Sequence, residues 1–148
     1  MLKGMIIALV ITSGSFLASC GQQESDEFDL ELSKQKWNSA FLTWNEADLR
    51  HLDKGEKLFR KHCSVCHKRD GRGDIQLGAP ALYSSPIVIN QKHVLIQRIL
   101  QGKKGTSMPA FAVTLGDEEV AAVATYIRNA WGNSAPDSVT AAEVREQR

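Results

Sequence analysis

Apolar residues recur at helical spacing in three stretches of the chain, and the period of two that marks a half-buried strand is scarce. In residues 54–65, Gly55, Leu58, Phe59 and His62 fall on one helical face. Residues 91–101 place Val94, Leu95, Ile99 and Leu100 together, with Asn90 as the expected cap and Gly102 as the stop. A third helix opens at Gly116, where Asp117, Glu118 and Glu119 set negative charge at its positive pole. It carries Val120, Val123, Ala124, Ile127 and Trp131 as an apolar stripe and is expected to run to about Ala130. Upstream, Phe28, Leu30 and Leu32 alternate as in a short strand, whereas Trp37, Phe41 and Trp44 fall at i, i+4 and i+7, as on one helix face. That face is expected to pack on the rest of the protein; a partner-binding or membrane-facing helix is the alternative. After a loop at residues 133–138, Thr140-Ala141-Ala142-Glu143 forms a capping box on a helix too short to stand alone, which either docks or frays.

The beginning of the chain has a different character. Lys3 precedes an apolar run at residues 5–16 that is too short to span a bilayer, which is the layout of an export signal. Leu17-Ala18-Ser19-Cys20 resembles the bacterial lipoprotein processing site, which implies cleavage before Cys20 and lipid on its sulfur. Removal of residues 1–19 leaves 129 of the 148 residues, enough for one domain and a tether. The expected division is a signal at 1–19, a lipidated tether and extension at 20–52, a domain at 53–132 and a tail at 133–148.

Cys63-Ser64-Val65-Cys66-His67 supplies the candidate chemistry. Two thiols one helical turn apart, followed directly by an imidazole, match the attachment site of a c-type haem, with His67 as proximal iron ligand. A redox dithiol would need a βαβ setting, and a structural zinc site would need a further soft ligand, for which Cys20 lies far away. With two thiols used by haem and the third by lipid, no cysteine is left for a disulfide. For the sixth iron ligand, Met108 is the only methionine outside the signal, and its flanks, Gly105 and Pro109, place it in a loop. The competing histidines are weaker: His62 adjoins Cys63, and His51 and His93 read as solvent-facing. Gly71-Arg72-Gly73 is read as a turn, since it has neither the preceding strand nor the lysine of a phosphate loop.

The overall charge of +1 conceals a division. Residues 54–105 hold eleven Lys/Arg against three Asp/Glu, a net of +8, while residues 20–53 and 106–148 carry −5 and −3. A basic rim around an exposed haem edge would speed encounter with an acidic redox partner. Nucleic acid is not expected, since the chain is exported and has no basic stripe interleaved with aromatics.

With C-x-x-C-H, the Met108-Pro109 pair, Gly55 and Phe59 on the first helix and Tyr126 on the last, residues 53–132 resemble class I cytochrome c. The resemblance implies an all-α cytochrome c fold of three main helices around one covalent haem c, with the first and last helices crossing near Gly55. It also makes Gly78-Ala79-Pro80-Ala81-Leu82 the loop whose proline carbonyl, that of Pro80, accepts a hydrogen bond from the proximal imidazole. The residues from Met108 to Asn133 look like the single-haem subunits that serve periplasmic dehydrogenases and oxidases. The expectation is an electron carrier rather than an enzyme, anchored by Cys20 on the periplasmic or outer face of a bacterial membrane. A haem enzyme or gas sensor with a displaceable Met108, and an obligate subunit of a larger oxidoreductase, are the alternatives.

Overall fold

The computed structural model describes residues 28–39 and 42–148. Among these residues there are seven helices and no strand: α1 (Leu30–Trp37), α2 (Glu46–His62), α3 (Ser64–His67), α4 (Pro86–Asn90), α5 (Lys92–Gln101), α6 (Asp117–Asn129) and α7 (Ala141–Arg145). The fold is all-α, and α2 against α6 is its main packing contact.

The crossing of α2 and α6 depends on a missing side chain. A Cβ at Gly55 would lie 2.1 Å from the carbonyl oxygen of Ala122 and 2.7 Å from the Cβ of Tyr126, so only glycine permits this approach. Around the crossing, Phe59, Tyr126 and Trp131 form an edge-on and tilted aromatic cluster with centroids 5.0–5.5 Å apart. Residues 120–128 of α6 are buried all round, which makes this helix the centre of the core rather than an amphipathic surface element.

Helix α2 begins at Glu46, eight residues before the expected start, because Asn45 caps it: its side chain accepts from the Asp48 N–H at 3.0 Å. The helix ends where Cys63 N donates to Phe59 O, and a single further turn, α3, carries Cys66 and His67, whose N–H groups donate back to Cys63 O. Asn90 is not the cap of the next long helix. Pro86 at a first-turn position starts a separate helix, α4, that consumes Asn90 as its last residue, so α5 begins after Gln91 without a side-chain cap. Gly102 does stop α5, at φ 67°.

The strand expected at Phe28, Leu30 and Leu32 is instead the entry to α1. Asp29 Oδ1 accepts from Leu32 N at 3.0 Å and caps a helix, and no neighbouring strand exists among the described residues to pair an edge. Nor do Trp37 and Trp44 share a helix. Asn38 and Ser39 use their side chains to accept from Trp44 N and Leu42 N, which reverses the chain after α1; Phe41 lies outside the described residues. Both tryptophans still pack inward. Trp37 meets Tyr126 edge-on at 5.7 Å and donates from its indole to Asp53 Oδ1 at 2.8 Å, while Trp44 joins Leu49 and Leu52 in a second small core. The tail docks: Val139 and Val144 belong to the main core, and Val139 N donates to the buried Thr125 hydroxyl. Arg128, only 4% exposed, ties α6 to this tail through Asp137 and to α4 through the Ile89 carbonyl.

Leucine at Gly55 must push α2 away from α6. Gly55→Leu is therefore expected to lose about 1–3 kcal/mol of stability and to lower haem yield, both read by thermal unfolding and visible absorbance of the purified protein.

Candidate functional site

A cavity of ≈ 330 Å³ opens at the carboxyl end of α2. Cys63, Cys66, His67, Pro80 and Met108 all line it, although they span 46 positions of sequence from first to last. Leu82, Leu95, Ile99, Phe111 and Ile127 supply much of its apolar wall. Cys20, the expected lipid site, lies outside the described residues, as does the export signal.

The imidazole of His67 is held in one orientation. It is 9% exposed, and its Nδ1 lies 3.0 Å from the carbonyl oxygen of Pro80. A carbonyl only accepts, so Nδ1 is the protonated nitrogen, and Nε2 keeps the lone pair that a metal requires. The loop that brings Pro80 there is tight. Gly73 N donates to His67 O, Asp74 and Ala79 exchange two backbone hydrogen bonds at 2.9 Å, and the N–H groups of Leu82 and Tyr83 both donate to Gly71 O. Gly71 and Gly73 adopt φ of +69° and +76°, in accord with a turn, and a Cβ at Gly73 would lie 2.4 Å from Ala79 O and 2.7 Å from Pro80 O.

Two residues that the sequence did not mark for this role secure the loop. Trp131, read as part of an apolar stripe, lays its ring where a Cβ of Gly71 would stand and donates from Nε1 to Arg69 O at 2.8 Å. Asn133, 4% exposed, accepts from Ser84 N and donates to the carbonyls of Leu82 and Ile127. Its position just after Gly132, beyond the end of α6, was the only local hint.

Burial, with Cys66 adding to it, pushes the Cys63 thiol up to about 12. A reactive dithiol or a zinc site needs thiolate, and no group of three or more His, Cys, Asp or Glu that could hold a metal ion exists among the described residues. Two thiols, an imidazole with a free Nε2 and a thioether around an apolar cavity form a donor set that fits an iron porphyrin.

Of the remaining histidines, only His51 departs from expectation. His93 is exposed, and His62 lines the cavity with its ring edge-on to Phe111 at 6.2 Å. His51 is not solvent-facing. It is half-buried between α2 and α6 with Nε2 unpartnered, and burial draws its pKa below 6.5 against the opposing charge of Glu118. Its place on α2, twelve residues before Cys63, puts it about 18 Å along the helix from the cavity.

Charges near the site are partly neutralised. Lys68 pairs with Asp74 at 2.7 Å, Arg72 with Asp70 while lying over the Tyr83 ring, and Lys92 with Asp137 and Glu143. Lys103 lines the cavity and is exposed, as is Lys104, and neither meets a carboxylate among the described residues. Leu77 and Ile87 also line the cavity and stand 48% and 51% exposed. No helix among the described residues is long and apolar enough to cross a membrane.

Residues 50–127 match the family model described as cytochrome c oxidase, cbb3-type, subunit III. The chain is 32% identical over 104 residues to the cytochrome c subunit of a quinone alcohol dehydrogenase from Gluconacetobacter polyoxogenes, covering 64% of this chain and 22% of that protein. It is 35% identical over 104 residues to the gluconate 2-dehydrogenase cytochrome c subunit of Pantoea cypripedii, covering 64% and 24%. It is also 35% identical over 80 residues to the cbb3-type cytochrome c oxidase subunit FixP of Bradyrhizobium diazoefficiens, covering 53% and 27%. The chain thus spans roughly a quarter of the length of these curated relatives.

Alanine at Gly73 has to displace the Pro80 carbonyl. Gly73→Ala is expected to cost about 1–3 kcal/mol and, by loosening the His67 hydrogen bond, to make the imidazole less basic and raise the reduction midpoint. Thermal unfolding and a potentiometric titration check the two effects.

Proposed function

The chain belongs to the cytochrome c oxidase, cbb3-type, subunit III family of c-type cytochrome domains, and from that premise we propose that it is a one-electron carrier, exported and lipid-anchored, with haem c held by Cys63, Cys66, His67 and Met108. The convergence of these four residues and Pro80 on one apolar cavity carries the reading. When bound, the haem supplies a one-electron ferric/ferrous couple. Cys63 and Cys66, at the two ends of one turn, would hold the porphyrin through two thioethers; His67 presents Nε2 and is kept from rotating by Pro80; Met108 would offer sulfur from the segment after α5. With His67 and Met108 both offered to a bound iron, no site would be left open for a substrate, and the domain would pass electrons without making or breaking substrate bonds. The apolar walls would shield a bound haem from water and so favour its reduced state.

The partner is a redox protein with an acidic docking face. Exposed Leu77 and Ile87 at the cavity supply apolar contact, and Lys103 and Lys104 supply charge not already used inside the fold. Lys68 and Arg72 contribute less than the sequence alone implied, because each already faces a carboxylate. Lipid on Cys20 would keep this face close to a membrane, and two or more acyl chains suffice for stable attachment. A second reading, an obligate subunit of a larger oxidoreductase, draws support from relatives named as subunits of dehydrogenases and an oxidase. Co-purification of a large partner in mild detergent would favour it over a free carrier.

Met108→Ala is expected to retain covalent haem while opening a site that binds carbon monoxide and lowering the potential; sulfur-ligated low-spin spectra in that variant would refute the assignment. Reversing charge at Lys104 should slow electron transfer to the partner and flatten its dependence on salt, since exposed charges are screened beyond about 10 Å at 0.1 M, while the potential stays nearly unchanged; the same change at Lys103, which lines the cavity, should also lower the potential. Cys20→Ser should release the protein from membranes with its visible spectrum intact, and the intact mass of the native protein should exceed that of residues 20–148 plus one haem by the acyl groups.

A further inference from the structure

The segment that carries Met108, between α5 and α6, has no helix of its own. Its first half is stitched to the end of α5. Lys103 N donates to Met108 O at 3.2 Å, Phe111 N to Ile99 O and Ala112 N to Leu100 O, both at 3.1 Å. Gly102 permits the closeness, since a Cβ there would lie 2.6 Å from Met108 O. In the second half, beyond Ala112 N, residues 113–115 make no backbone hydrogen bond to α5. Val113 is 100% exposed and Thr114 is exposed as well; Ala112 and the buried Leu115 pack on the core at either end, and the Thr114 and Leu115 N–H groups donate to Phe111 O, but the Ala112 and Leu115 carbonyls get no partner from this turn.

What crosses to this half is Arg148. From beyond α7, its guanidinium donates to Ala112 O, to Leu115 O at 2.7 Å and to the Asp117 carboxylate. These partners lie 36, 33 and 31 positions away in sequence. The mount is rigid: Val139 and Val144 are buried in the main core, Thr140 and Glu143 cap each other, and Arg145 adds a second cation to Asp117 at 3.4 Å. A planar fork that satisfies two carbonyls and a carboxylate at once is a geometry lysine cannot copy.

We propose that Arg148 is a positioning residue for Met108, its guanidinium clamping residues 112–115 so that the segment carrying the thioether stays seated beside the cavity. This rests on the reading of Met108 as iron ligand. Without the fork, the Ala112 and Leu115 carbonyls have only water, and the segment opens locally more often while the helical core stays closed. An opening that spreads from there through the Ala112 and Phe111 bonds to α5 frees the sulfur to leave its place.

The test compares Arg148→Ala and Arg148→Lys with Trp37→Phe, which removes the indole bond to Asp53 far from this segment, in the haem-loaded full chain. Amide hydrogen exchange at Phe111 and Ala112 should quicken at least about tenfold in Arg148→Ala, less in Arg148→Lys and not in Trp37→Phe. Carbon monoxide binding to the ferrous protein should quicken in the same order. Unchanged exchange in Arg148→Ala, or an equal increase in Trp37→Phe, overturns the clamp. If the wild type binds carbon monoxide readily and shows no sulfur ligation, the Met108 assignment has failed, and the exchange rates alone then decide whether Arg148 holds the segment.

Discussion

The contact between α2 and α6 at Gly55 is the constraint on which the other features depend. Because the carbonyl of Ala122 and the Cβ of Tyr126 occupy the space of a side chain there, the two helices meet at one register. That register decides where the last turns of α2 deliver Cys63, and where α6 and the residues just beyond it deliver Ile127 and Trp131. Phe59, one turn after Gly55, fills the angle between them against Tyr126 and Trp131. A slip of one residue along either helix would rotate Cys63 and His67 away from the cavity, since successive helical positions differ by about 100°.

From this frame the orientation of one imidazole is built by backbone. The His67–Pro80 hydrogen bond needs the Pro80 carbonyl at a fixed place, and Gly73 allows the turn to close behind it. Trp131 then covers Gly71, and Asn133 binds both the loop and the end of α6, so that the site is fastened to the core rather than suspended from it. Pro80, Gly73, Trp131 and Asn133 together leave a single ring nitrogen free. Preorganisation of this kind suits a redox centre, in which little should move when charge changes.

Charge follows a different logic from packing. Three cations of the basic segment are balanced internally: Lys68 by Asp74, Arg72 by Asp70, Lys92 by Asp137 and Glu143. The cations left facing solvent beside the cavity are few, and they share that rim with exposed Leu77 and Ile87. A face of this mixed kind is compatible with brief encounters, because charge guides approach while the apolar contact area stays small.

Local spacing determined much of the molecule. Cys63, Cys66 and His67 share a turn because they stand three and one apart; Gly102 ends α5; acid after Gly116 opens α6; Gly71 and Gly73 make a turn. These depend on neighbours within four residues, which a sequence displays directly. The departures arise where partners are distant or where two local rules compete. Asn90 has the side chain of a cap, yet Pro86 claims it for the preceding helix, and the alternation of Phe28, Leu30 and Leu32 gives way to the cap at Asp29 because no strand lies alongside. The burial of His51, the grip of Trp131 on the loop after His67, the bonds of Asn133 and the reach of Arg148 to Ala112 and Leu115 join positions separated by about 50 residues or more in several cases, as in Trp131 to Arg69 at 62. Such pairings exist only after α6 has closed on α2, because a polar side chain has many candidate partners in a chain and one in a packed structure.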